Sequence, residues 1–407
     1  MNARKMSVVQ RLRRVAPAAG TDPRERCGFI RYENRREAVL RGSCESTPRP
    51  YESRRTTRAA RLRSDSAVRY ASRRVDPSER SNIASMPKHV QLYAYGGVDQ
   101  LRIVDVAKPQ PQPGEVVVRV VAAGTNPGEI AIREGFLKDM FPMEFPFGEG
   151  ADFAGYVDAV GSGVAGFAVG DEVLGWSERR TAQAEYVVSD PDHLIPKPPA
   201  LDWYRAGSLF VVATTAVAAI RAVALKPGDV VAISGAAGGV GALATQLARR
   251  AGARVLAIAS PESAGFLRSL GAQAVAYGDG LEQRLREAAP GGVDAFVDLF
   301  GGGYIELALA LGVAPQRIDT IIDFAGAQKH GTKADGSSAV PPRETLTSVA
   351  ELIAWGEIVM PLTAIYPFAA LHEAYEELGR RKTRGKIVLA LHPAIDAPIR
   401  PRASSAI

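Results

Sequence analysis

The chain has 407 residues, a formal net charge of +6 and a hydrophobic share of 46%, enough for two or three domains with sizeable cores. The charge is uneven: residues 1–85 carry 21 Lys+Arg against 9 Asp+Glu, whereas the remaining 322 carry 29 against 35. Both cysteines, Cys27 and Cys44, fall in that first part, which excludes a disulfide framework and a thiolate metal site from the rest of the chain. The longest apolar stretch, Ala206 to Ile220, is broken by Ser208, Thr214 and Thr215 and falls short of the roughly 20 residues of a membrane-spanning helix, so the expected location is cytoplasmic, with no membrane partner.

Residues 1–85 repeat Arg-Arg and Arg-Ser with few large apolar side chains, a composition that buries too little surface to offset ordering. They are read as a disordered, Arg-rich leader. A solvated tail is preferred over a nucleic-acid arm, and the segment has neither the apolar core of a secretory signal nor the acid-poor composition of a transit peptide. Met86 opens a strand-like register and marks the start of the folded part.

From Met86 to about Pro198 the pattern is mostly β. Val116–Ala123 is the clearest strand, entered through the turn Pro111-Gln112-Pro113-Gly114, and Ala154–Val160 and Gln183–Val188 follow. After Gly207 the rhythm becomes strand, helix, strand, helix. Strands are expected at Val230–Ser234, Val255–Ala259, Ala274–Tyr277, Ala295–Leu299 and Thr320–Phe324, with helices over Leu243–Arg250, Leu281–Ala288 and Ile305–Leu311. Ser260-Pro261 suits an N-cap with proline in the first turn of a further helix. Continuous apolar strands imply burial on both faces, as in a parallel sheet. Helices over Pro342–Trp355 and Leu371–Arg380 and a strand at Lys386–Ala390 are expected to return to the first domain.

One segment carries chemistry on its own. Val230–Ser234 breaks into Gly235-Ala236-Ala237-Gly238-Gly239-Val240-Gly241 and then opens a helix. Small residues let a backbone approach a pyrophosphate, and the N–H groups and dipole of the helix start offset its charge. Residues 235–241 are therefore assigned to cofactor binding. NAD-selective sites place a carboxylate at the end of the second strand, where this chain has Ala259 and Ser260. A hydroxyl at Ser260 tolerates a 2′-phosphate, with Arg268 and Tyr277 as candidate partners, so NADPH is the expected cofactor. Glu262 is the residue that opposes this choice.

Several motifs then stand in order: Ala122-Ala123-Gly124-Thr125-Asn126-Pro127, Ile132-Arg133-Glu134-Gly135, Gly150-Ala151-Asp152-Phe153-Ala154-Gly155, Val169-Gly170-Asp171-Glu172-Val173, Lys226-Pro227-Gly228-Asp229, the glycine loop, and Arg384-Gly385-Lys386-Ile387-Val388. In this order the chain from about Met86 to Leu391 resembles the medium-chain dehydrogenase/reductase superfamily, in particular its zinc-independent quinone oxidoreductase-like branch. The resemblance implies an α/β fold class: a GroES-like β-rich catalytic domain over residues 86–211 and 340–393, and a Rossmann doubly wound parallel-sheet cofactor domain over residues 212–339. Zinc-dependent relatives carry metal-binding Cys and His where this chain has Asn126 and Ala151, so no metal is expected.

The resemblance also implies roles. Thr215 would lie near the nicotinamide end, Phe324 and Ala325 would border it, Lys386 would join the cofactor site, and Asn126 would orient cofactor or substrate, making Asn126 and Thr215 the catalytic candidates. Phe136, Phe141, Phe145 and Phe147 surround the substrate wall. Ala131 stands where many relatives carry Tyr, so no general acid is nominated. Without a metal the acceptor must itself be electrophilic, and the expected activity is hydride transfer from NADPH to a small planar quinone or activated alkene. The alternatives are an enoyl-thioester reductase and a non-catalytic NADPH-binding redox sensor or structural protein. The resemblance further implies a homodimer.

Overall fold

The computed structural model describes residues 86–392; the leader assigned to residues 1–85 lies outside them. The first half folds as expected into β structure, with strands β1 (Lys88–Leu92), β2 (Arg102–Asp105), β3 (Val116–Gly124), β4 (Phe147–Gly148), β5 (Asp152–Val160), β6 (Glu172–Trp176), β7 (Tyr186–Ser189) and β8 (Leu194–Pro196). Strand β1 pairs antiparallel with β2 and β4. A larger sheet centres on β3, whose run of valines and alanines is almost wholly buried, as its paired position demands: β5 and β7 flank it antiparallel. Between β3 and β4 the short helix α1 (Pro127–Arg133) starts at Asn126 through a capping box with Glu129.

The second half supplies a five-stranded parallel sheet from β9 (Val230–Ile233), β10 (Arg254–Ala259), β11 (Gln273–Ala276), β12 (Ala295–Asp298) and β13 (Ile318–Thr320), in the spatial order β11-β10-β9-β12-β13. Alternate residues of its apolar strands feed two different cores. Val231, Ile233, Val255, Ala257, Ala295 and Val297 belong to one; Ala232, Leu256, Ile258 and Phe296 belong to the other. That is the physical reason the strands read as continuous rather than alternating apolar runs. The chain moves from β9 to β10 and β11 on one side and then returns to β12 and β13 on the other, so the order reverses beside β9. Ligands of open α/β sheets sit outside the carboxyl ends of the strands at such a point.

Helices α2 (Phe210–Ala222) and α3 (Gly239–Arg250) pack on one another and line one face. Then β14 (Leu362–Pro367) and β15 (Lys386–Ala390) rejoin the first sheet, β15 pairing antiparallel with β3 and parallel with β14. Helix α9 (Leu371–Gly379) shares a core with β1 and β15 through Leu371, Ala374, Tyr375 and Leu378. Helix α8 (Pro342–Ala354) does not belong to the first lobe alone: it packs on both α2 and β8, at the seam. Among the described residues no helix is long and apolar enough to cross a membrane.

Two local expectations need correction. Thr320–Phe324 is not a strand: β13 stops at Thr320, whose hydroxyl accepts the amides of Ile322 (3.3 Å) and Asp323 (3.1 Å). Asp323 then caps helix α7 (Phe324–His330), accepting from Gly326 N at 2.8 Å. Phe324 thus opens a helix. At Ser260-Pro261, a 3₁₀ turn over Pro261–Ser263 precedes the helix Ala264–Ser269 (α4), and the Ser260 hydroxyl meets Ser263 Oγ at 3.3 Å instead of capping an amide.

Candidate cofactor and active site

The glycine segment sits at the carboxyl end of β9, at the topological reversal. Gly235 adopts φ +59°, which glycine tolerates at little cost, and Gly238 N–H donates back to Gly235 O at 3.0 Å, closing the turn. A side chain at Gly241 would put its Cβ 2.3 Å from Gly235 O and 2.6 Å from Ala236 Cα, so only glycine allows the helix to pack this close. Helix α3 starts at Gly239, which leaves the amides of Gly239, Val240 and Gly241 without intrahelical acceptors. Ser234 is buried underneath: its hydroxyl donates to Asp298 Oδ1 (2.6 Å) and accepts from Leu299 N (2.9 Å). The resulting cradle of free amides and absent side chains fits a dinucleotide pyrophosphate.

At the end of β10, Tyr277 stands 54% exposed, and its amide donates to Ala259 O at 3.2 Å, so it borders the corner holding Ser260. Arg268 is exposed on α4. Two cations that sequence reasoning missed approach this corner from the loop before β15. Arg384 donates to Glu262 O at 3.4 Å. The Glu262 carboxyl is held below its usual range by its own backbone amide first, then by the Ser260 hydroxyl, with Arg384 and Lys382 adding charge. The signal was the run Arg380-Arg381-Lys382-Thr383-Arg384, but only the fold carries it to this corner. Arg381 of the same run lies over the Phe300 ring at 4.3 Å and donates to Phe300 O at 3.1 Å, beyond the end of β12.

Lys386 and Asn126 meet at the seam between the lobes. Gly385 N–H donates to Ala237 O at 3.0 Å, tying β15 to the glycine loop. The Lys386 ammonium, 3% exposed, donates to Thr125 O (2.6 Å) and Asn126 Oδ1 (2.6 Å) and reaches Asp152 Oδ2 at 3.4 Å. Asn126 Nδ2 donates to Glu129 Oε1 and Asp152 Oδ2, both at 3.0 Å. The Asn126 amide is therefore fully committed within the protein, a buried junction between the lobes. Thr215 sits in the middle of α2, 7% exposed. One turn earlier, Val212 would meet a Cβ at Gly239.

Behind Asn126 lies a polar cluster whose members were not nominated. Tyr375 on α9 donates to Glu129 Oε2 at 2.7 Å and accepts from Gln183 Nε2 at 2.6 Å. Arg133 pairs with Glu149 at 2.5 Å and places its guanidinium 4.7 Å from the Tyr375 ring. Burial pushes Glu149 up to about 8, with Arg133 opposing and the neighbouring Glu129 adding to the rise. Burial, again with Glu129 and Glu149, pushes the Tyr375 hydroxyl well above its usual value. The Arg133–Glu149 pair also closes the neck of the segment 134–148, on which Phe136 (63%), Phe141 (37%) and Phe145 (37%) are exposed; none of these three is ordinary core.

Comparison with known proteins agrees with the two-lobed fold. Residues 112–199 match the alcohol dehydrogenase GroES-like domain, and residues 270–389 match the zinc-binding dehydrogenase domain. A quinone oxidoreductase of Pseudomonas aeruginosa is 30% identical over 330 residues, covering 75% of this chain and 99% of that protein. The chain belongs to the medium-chain dehydrogenase/reductase superfamily. Against the quinone oxidoreductase of Sus scrofa it is 35% identical over 175 residues, 42% of this chain, and spans about half, 53%, of that relative's length. The solved quinone oxidoreductase of Coxiella burnetii superposes with a TM-score of 0.68 at 29% identity, over 75% of this chain and 99% of that one.

Membership of this superfamily implies a nicotinamide cofactor, and residues 235–241 fit that group through the free amides at the start of α3 and the space that a Cβ at Gly241 would fill. Among the described residues there is no grouping of three or more His, Cys, Asp or Glu side chains able to hold a metal ion.

Proposed function

We propose that this superfamily member is a metal-independent reductase that uses NADPH to reduce a small planar quinone or activated alkene. The observation that carries the reading is the seam itself, where Gly385 N–H ties the start of β15 to Ala237 of the glycine loop and the next residue, Lys386, donates to Asn126, which stands, like Ala151, where zinc-dependent relatives carry ligands. With neither a thiolate nor an imidazole at those positions to hold a Lewis acid, the acceptor must be electrophilic in its own right. A nicotinamide cofactor, when bound, supplies the hydride. The chain's part is to hold the pyrophosphate on residues 239–241, to keep the cofactor against Thr215 on α2, and to exclude water at the seam. Phe136, Phe141 and Phe145 on the pinned segment offer flat apolar faces to a planar acceptor. Asn126 and Lys386 have their protons committed to internal partners, so the proton that completes the reduction comes from solvent.

The preference for NADPH rests on the corner at Ser260, where Arg384 and Lys382 face the end of β10. Their charge favours a 2′-phosphate, and Tyr277 adds an exposed hydroxyl beside it. Glu262 sits among the same cations, and NADPH binding requires it to swing away. The test is oxidation of NADPH and NADH by the purified full chain with a panel of quinones, enones and enals. Turnover with NADPH on at least one acceptor class is expected; tight NADPH binding without turnover on any acceptor would show a non-catalytic protein.

A further inference from the structure

Lys386 crosses from the nucleotide loop to the polar cluster, and both ends of its side chain are fixed. Its stem passes Gly239, where a Cβ would come 3.0 Å from Lys386 Cδ. The backbone around it is tied on both sides: Lys386 N–H donates to Pro361 O (2.9 Å), and Thr125 N–H donates to Ile387 O (3.2 Å). The ammonium carries three hydrogens and faces three oxygens, those of Thr125, Asn126 and Asp152, so none is left for a phosphate on the glycine loop. A cation this deeply buried persists only when paired, and Asp152 is its ionic partner. Asp152 Oδ1 in turn accepts Val211 N at 2.8 Å. Val211 is in the first turn of α2, the helix whose Val212 lies against Gly239. The path therefore closes on itself, from Gly239 through Lys386 to Asn126 and Asp152 and back through α2.

We propose that Lys386 is a positioning residue: it sets the distance between the nucleotide loop and Asn126, acting through the Asn126 amide and the Asp152 carboxylate and not through contact with the cofactor's phosphates. This rests on the reading of residues 235–241 as a nicotinamide-dinucleotide cradle. A displacement of about 1 Å between reacting groups costs roughly 100-fold in rate, whereas loss of a direct phosphate contact would weaken binding by about tenfold or more. The two roles therefore separate in measurement.

The test compares wild type, K386M, K386R, N126A and the K386M/N126A double variant in the full chain. NADPH affinity is read by fluorescence titration, turnover by NADPH oxidation, and the ligand-free proteins by thermal unfolding. Expected results are a fall in kcat of roughly 100-fold for K386M with NADPH affinity little changed, and recovery of most of that loss in K386R. Melting shifts of K386M and N126A should be clearly non-additive in the double variant. An affinity loss of about tenfold or more with kcat retained, or additive melting shifts, would overturn the proposal. If K386M does not fold, the charge-balanced K386M/D152N replaces it, and wild-type kcat in that variant would also overturn it. A wild-type chain that binds neither nucleotide overturns the cradle reading, while the melting cycle still decides the link between Lys386 and Asn126.

Discussion

The glycine loop and the seam cluster are built on opposite physical terms. The loop is defined by what it lacks: no Cβ fits at Gly241, and three amides are left without acceptors. The cluster consists of side chains that are almost fully engaged: Glu129, Glu149 and Asp152 with Arg133 and Lys386, all nearly inaccessible to water. The first region is local in sequence and tolerates no added volume; the second is assembled from distant segments and tolerates no unbalanced charge. Perturbing either should expose this contrast.

The largest effect is expected at Arg133. Removing the guanidinium leaves the buried Glu149 carboxyl and the Tyr375 ring without their partner, which costs about 3 kcal/mol, so R133M should lose that much stability in urea unfolding at neutral pH. E149Q, which keeps shape and hydrogen-bonding capacity, should lose far less. Gly241→Ala comes next: forcing a methyl against Gly235 O at 2.3 Å should cost about 1–3 kcal/mol by overpacking and abolish measurable NADPH binding, because the loop must move. Retained binding in that variant would separate the cofactor site from this turn.

A pH series distinguishes the two regions further. Glu149 has an ordinary value of 4.5 and is raised to about 8 in the fold, so between those values the folded state holds a proton that the unfolded chain releases. Stability from this group is thus full below about 4.5 and is lost as pH rises toward about 8. Asp319, raised to about 7 chiefly by burial and with Oδ2 unpartnered, acts in the same direction. E149Q should flatten the fall in stability between about pH 4.5 and 8, and E149Q/D319N should flatten it further. An unchanged slope in E149Q would place the proton elsewhere. The smallest effect belongs to exposed Glu262: E262Q should raise the NADPH over NADH preference in kcat/KM by a few-fold, in keeping with weak interactions at solvated sites.

Much of the parallel sheet was legible because its strands are short apolar runs separated by glycines, and its helices begin and end on local signals; Leu281–Ala288 and Lys386–Ala390 fall where the residues alone put them. Thr320–Phe324 misled because Ile321 and Ile322 extend the apolar run, while the deciding elements, the Thr320 hydroxyl and the Asp323 cap, are single polar side chains within it. At the site, Ser260, Tyr277 and the glycine loop could be named from their offset along one βαβ unit. Arg384, Glu129, Glu149 and Tyr375 could not, because each reads locally as an ordinary surface or helix residue.

By itself the sequence determined the order of the lobes, the strand-turn-helix that opens at Gly235, and the absence of cysteine from residues 86–407. These depend on spacing, chirality and composition, which act over a few residues. Only the tertiary structure decided that Lys386 meets Asn126 across 260 positions and that Tyr375 meets Glu129 across 246. Such pairings follow from how β15 returns to β3 and how α9 docks on the first lobe. Packing selects them through the whole molecule, because a buried charge is stable only where the fold brings its partner.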